Sequence, residues 1–150
     1  MEATNPGARM STAVLDTAAQ PSRALHWSLW GVQALLAFAF FAAGVMKSVT
    51  PLPELGAMMP WVSDSPAFLP RFIGISEILG AVGLILPSAL RILPVLTPVA
   101  AGALALVMAL GVAMHAAYGE WGALGAPFVL FGLSAFVAWG RSTRARIPAR

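Results

Sequence analysis

The chain contains no cysteine, which rules out disulfides, iron–sulfur clusters held by its own thiolates and thiol redox chemistry. Charge is almost as scarce, at 10% of residues against about 25% in an ordinary soluble domain. There is no glycine-rich phosphate loop, no HExxH and no GxSxG, so nucleotide binding, zinc proteolysis and serine hydrolysis lack their usual parts. Histidine occurs only as His26 and His115. No metal site is expected.

What the chain does have is apolar residue, 59% of it, with a mean hydropathy of +0.80. No charge interrupts residues 24–46, and Trp27 to Met46 alone is long enough, at about 1.5 Å per residue, to cross a hydrocarbon layer of roughly 30 Å. Three further runs follow: Phe72 to Leu90, Pro94 to about His115, and Gly122 to Trp139. Pro98 and Pro127 fall in the first turns of their helices, where a missing N–H does least harm. The fold expected is all-α, a polytopic integral membrane four-helix bundle. Residues 1–22 read as a flexible polar tail, 23–140 as the transmembrane domain and 141–150 as a basic tail. The first apolar run exceeds the 7–15 residues usual in a secretion signal and is read as a retained helix.

Trp27, Trp30 and Trp139 mark one membrane boundary, and Trp61, Tyr118 and Trp121 the other, as amphipathic rings do at headgroup level. Four spans put both termini on one side. That side holds Arg9, Arg23, Arg91, Arg141, Arg144, Arg146 and Arg150, the other only Lys47 and Arg71, so the termini are expected to be cytoplasmic. The arginines of RSTRARIPAR then act as a topology signal in contact with the lipid bilayer, and no nucleic-acid partner is expected because no folded basic surface or aromatic platform accompanies them. With His26 and His115 on opposite sides, one chain cannot ligate a haem through two histidines.

Glu77 is the acidic residue inside the runs. By helical geometry it shares a face with Gly74, Gly80, Ala81 and Leu84, and so points into the bundle. It lies roughly 9 Å below Arg71 along the helix axis. A charge in mid-span costs about 2.5–3.5 kcal/mol, less near the interface, so a partner or a function must compensate. Antiparallel layout brings Lys47, Arg71, His115 and Glu120 to the same outer end. Lys47 is the favoured partner, with a stem long enough to bend inward while its head keeps some water. His115 is a candidate proton relay with Glu77. Two readings stay open: a polar ligand pocket in the outer half, or an ion-paired clamp that only holds helices together.

The segment Lys47 to Pro70 holds five prolines and so makes no long helix, yet Leu52, Leu55, Met58, Met59, Trp61, Phe68 and Leu69 call for burial. It is expected to fold back as a lid or to anchor at the interface. Helix contacts in lipid form through small residues, which nominates Ser76 with Gly80 on the second helix and Ala101, Ala105, Ala109, Ala113 and Ala117 on the third.

The order F-x-x-G-x-x-K at Phe41, Gly44 and Lys47, then R-x-x-G-x-x-E-x-x-G-x-x-G-L at Arg71, Gly74, Glu77, Gly80, Gly83 and Leu84, then Pro87 and the distant His115, resembles the DoxX-like family of small four-helix bacterial membrane proteins. The resemblance covers about residues 27–140. It implies a multi-pass protein of the bacterial plasma membrane and, since the family takes its name from a membrane subunit of a thiosulfate:quinone oxidoreductase, an accessory subunit with a redox protein partner. No covalently bound cofactor is implied; quinone is the ligand expected. The sites then are Glu77, Lys47, Arg71, His115 and Trp61 for ligand binding or proton relay, and Gly74, Ser76, Gly80, Gly83, Ala105 and Ala109 for packing. A proton-coupled transporter and a purely structural partner are the alternatives. Four-helix multidrug exporters, however, carry their glutamate in the first helix, which here has no acid. A homodimer stays open.

Overall fold

A computed structural model describes residues 22–150; of the tail expected at residues 1–22, residues 1–21 lie outside the described residues. Ser22 is not part of a tail. Its hydroxyl accepts from the Leu25 N–H at 3.2 Å and caps the first helix, α1 (Arg23–Val49), satisfying a donor that a helix start leaves free. Two short helices follow, α2 (Leu52–Met58) and α3 (Pro60–Ser63), then the long helices α4 (Phe68–Leu90) and α5 (Leu96–Ala117). A 3₁₀ turn at Trp121–Ala123 leads into α6 (Gly125–Trp139), which ends in a wider π turn at Gly140–Arg144. No strand occurs among the described residues. Four segments among the described residues are long and apolar enough to cross a membrane: Arg23–Val49, Phe68–Leu90, Leu96–Ala117 and Trp121–Arg144. Phe38, Leu79, Leu106 and Phe128 are exposed on their outer surfaces, as lipid-facing residues are.

The long helices form a ring in which α1 packs on α4, α4 on α5, α5 on α6, and α6 more sparsely on α1. Buried positions advance in steps of three and four: Leu29, Gln33, Leu36, Phe40, Gly44 and Lys47 on α1, and Pro70, Gly74, Glu77, Ala81, Leu84 and Ser88 on α4. Such steps keep a nearly straight stripe on each helix, so the two antiparallel helices stay in contact along their length. The alanine ladder expected on α5 does not. Ala101 and Ala105 are buried, Ala109 is half-buried, and Ala113 and Ala117 are exposed. Each four-residue step rotates about 40° past a full turn, so the ladder leaves the contact face, which Thr97, Ala101, Leu104 and Met108 follow instead.

Pro87 lies inside α4 and removes the N–H that would reach the Gly83 carbonyl. That carbonyl accepts instead from Thr97 Oγ1 of α5 at 3.2 Å, and Thr97 in turn accepts from Ser88 Oγ at 2.8 Å. The neighbouring Leu84 carbonyl accepts from Gln33 Nε2 of α1 at 2.6 Å. In a bilayer no water can take these roles, so side chains of adjoining helices hold the proline-weakened turn.

The proline-rich segment folds back over the end of the bundle that holds Lys47 and Arg71. Leu55, Trp61 and Val62 are buried in a second core with Met46, Leu52, Met59, Leu69, Ile73 and Met114. Trp61, at 6% exposed, is packed inside this lid, while Trp27 and Trp121 stay exposed.

Candidate functional site in the outer half

The centre of the site is a glycine contact. A Cβ built on Gly44 would lie 2.6 Å from the Gly74 carbonyl oxygen, and one on Gly74 would lie 2.7 Å from that of Gly44. Only hydrogen on both Cα atoms permits this approach. Lys47 lies three residues beyond Gly44 and Glu77 three beyond Gly74, on helices running in opposite directions. Helical side chains lean toward their own N-terminus, so Lys47 leans inward and Glu77 outward, each toward the other. Lys47 Nζ donates to Glu77 Oε2 at 2.8 Å and to Oε1 at 3.0 Å. The carboxylate is 1% exposed and the lysine side chain 11%.

Arg71 does not pair with Glu77. Its Nη1 donates to the Lys47 carbonyl at 2.5 Å and its Nη2 to the Thr50 carbonyl at 2.7 Å, at the end of α1. Those carbonyls have no partner within their own helix, and a cation there also complements the negative end of the helix dipole. The arginine thus fixes the C-terminal end of α1, and with it the Lys47 backbone. His115 is likewise committed elsewhere: its Nδ1 is 2.5 Å from Glu120 Oε2, which ties the end of α5 to the following turn. The structure brings together Lys47 and Glu77, sets Arg71 beside them on the backbone, places Trp61 in the lid and leaves His115 in a separate pair.

Of the packing residues, Gly74 faces α1, while Gly80 faces Leu104 and Gly83 faces Ala100 on α5. The Ser76 hydroxyl donates to the Phe72 carbonyl of its own helix. Ser76, Gly80 and Gly83 line an open groove of about 530 Å³ between α4 and α5, with Leu96, Ala100 and Leu104 on its other wall. It is almost entirely apolar and excludes Glu77, so it is distinct from the polar pocket expected around that residue.

One cluster escaped the sequence reading. Gln33 is fully buried in α1, and its Oε1 accepts from Arg141 Nε at 2.6 Å. Arg141 is 4% exposed and Ala145 is also buried, so the folded body extends through part of the segment expected to be a basic tail. Gln33 falls on the buried stripe of α1, which was the available signal. Arg141 gave none, since it stands at the head of an arginine-rich run. Among the described residues no group of histidine and acidic side chains has the arrangement of a metal site.

Neither a curated protein nor a solved structure matches the sequence. The DoxX-like family profile matches residues 31–137, which runs from within α1 through most of α6 and includes every residue of the Lys47–Glu77 site. Four apolar helices in a ring, with this match over most of its length, establish that the chain is a multi-pass membrane protein belonging to the DoxX-like family.

Proposed function

We propose that the protein is an accessory membrane subunit of a redox system in the bacterial plasma membrane, with its termini in the cytoplasm, and that its outer half receives a quinone headgroup at Lys47. The observation that carries this reading is the hydrogen bonding of the lysine. An ammonium group has three N–H donors, and among the described residues Glu77 takes two of them. The third is available to a quinone carbonyl oxygen, under a lid of apolar side chains that suits the ring. Glu77 aims the lysine, and Arg71 holds its backbone. Electrons would pass between quinone and a partner's cofactor, with this chain binding and orienting.

A second reading has its own support. Both oxygens of Glu77 are occupied and the group is shut away from water, which suits a permanent clamp between α1 and α4. The same closure gives less support to a proton-coupled transporter, whose carboxylate must meet water on alternate sides during its cycle.

Mass spectrometry of small molecules retained after gentle detergent purification from a bacterial membrane separates these readings. A quinone carried by the natural chain and missing from Lys47→Met supports the redox subunit. Identical lipid in both, with no quinone, supports the clamp.

A further inference from the structure

At the opposite end of the bundle from Glu77, α6 runs into the π turn Gly140–Arg144, where the Ala145 N–H reaches back to the Gly140 carbonyl at 2.8 Å. Gly140 is pressed against Leu29 of α1, where a Cβ would meet the leucine side chain at 2.6 Å. This contact draws Arg141 into the seam between α6 and α1. Its guanidinium is held on several sides: Nε donates to Gln33 Oε1 at 2.6 Å, Nη1 donates to the Ala145 carbonyl at 3.3 Å, and the Trp30 ring lies 5.2 Å away. Nη2 is buried and has no hydrogen-bond partner.

No carboxylate among the described residues offsets this charge. Glu77 is engaged by Lys47, and the fourteen residues from Gln33 to Lys47 put that pair about 21 Å away along α1. Glu54, Asp64 and Glu120 belong to the lid and the outer turn. A buried guanidinium with a vacant donor and no counter-charge is costly unless an anion completes it. The planar fork suits the paired oxygens of a phosphate better than a single acceptor. Trp30 and Trp139 place the cluster near the bilayer boundary, where phospholipid phosphates lie, and exposed Arg144 and Arg146 add positive potential around it.

We propose that Arg141 is the base of an oxyanion site at the terminus side of the bundle, built by Gln33 and Trp30 and covered by the Ala145 carbonyl, which takes a phosphate group from an anionic phospholipid or as inorganic phosphate. The phosphate oxygens meet Nη2 and replace the Ala145 carbonyl on Nη1, the longest of the bonds described. Entry therefore displaces the segment after Arg144, which is tied down by the Ala145 N–H and, at its end, by the Arg150 N–H to the Arg91 carbonyl at 3.2 Å.

The test uses the full chain in neutral detergent, titrated with phosphatidylglycerol, phosphatidylcholine or inorganic phosphate, with chloride matching the ionic strength, and read by native mass spectrometry and thermal unfolding. Retention of phosphatidylglycerol over phosphatidylcholine that falls about tenfold in Arg141→Gln, as expected for loss of charge-assisted hydrogen bonds, assigns the site to lipid. Stabilisation by inorganic phosphate alone, lost in the same variant, assigns it to the free anion. Equal responses in the natural chain and Arg141→Gln overturn the proposal. So does a preference abolished by Arg144→Gln with Arg146→Gln, since that is diffuse attraction to an exposed basic surface. Should Arg141→Gln not accumulate, the Arg141 side-chain nitrogen resonances of the natural chain are followed during the same titrations, and resonances that do not move overturn it as well.

Discussion

Gly44 and Gly74 face each other so closely that neither has room for a side chain: a Cβ on either would stand 2.6–2.7 Å from the other's carbonyl oxygen. The Lys47–Glu77 bond is built on this contact, because both charged residues stand one helical turn from it, on opposite sides. Packing and electrostatics here form one unit.

Gly74→Ala is expected to destabilise the protein by about 1–3 kcal/mol, as overpacking does, because the obstruction is backbone and cannot rotate aside. Gly111→Ala on α5, where nothing lies within 4 Å of the added Cβ, is expected to be neutral or slightly stabilising, since glycine in a helix interior costs roughly 0.5–1 kcal/mol relative to alanine. Thermal unfolding of both variants in one detergent checks the contrast. Equal losses would show that the glycine contact is not tight.

Breaking the ion pair from one side is expected to cost more than removing it. Glu77→Gln leaves a buried ammonium without its counter-charge, a loss of about 3–5 kcal/mol, and Lys47→Met strands the carboxylate similarly. The double variant is expected to recover most of that loss, because no unpaired charge remains. Accumulation in the membrane and unfolding temperature across the four proteins measure the coupling. Additive losses would mean that the two groups do not support one another.

Thr97→Val keeps the shape of the side chain but removes the hydroxyl that satisfies the Gly83 carbonyl beside Pro87. The expected loss is about 0.6 kcal/mol, the average for hydrogen bonds between membrane helices, and at most about 1.7 kcal/mol. In a Pro87→Ala background the helix recovers its own donor to Gly83, so the same substitution is expected to cost less. A loss unchanged by Pro87→Ala would separate Thr97 from the proline. Unfolding in detergent, compared across the double-mutant cycle, gives the answer.

Much of the fold was legible because it depends on local quantities. Apolar run length gave four spans, and the structure's long helices lie over them. The inward face of Glu77 followed from its spacing to Gly74 and Leu84, and its partner from the antiparallel order of the helices. Arg71 was harder to read. Its charge suggested a carboxylate, but the open carbonyls at the end of α1 compete for it, and no sequence pattern marks where a helix end will lie relative to a side chain on another helix. His115 was drawn to Glu120, five residues away, in preference to a distant Glu77.

The sequence by itself determined the membrane character, the four helices, the family pattern and the inward turn of Glu77, since these rest on hydrophobicity and on the 3.6-residue period. Only the tertiary structure decided that Trp61 is buried in a lid, that α5 abandons its alanine ladder, and that Arg141 leaves the basic run to bond Gln33 more than a hundred residues earlier. The reason is physical: periodicity says which way a side chain faces, while its partner depends on how helices slide and tilt against each other. At Gly44 and Gly74 a single missing Cβ on each helix settles that register.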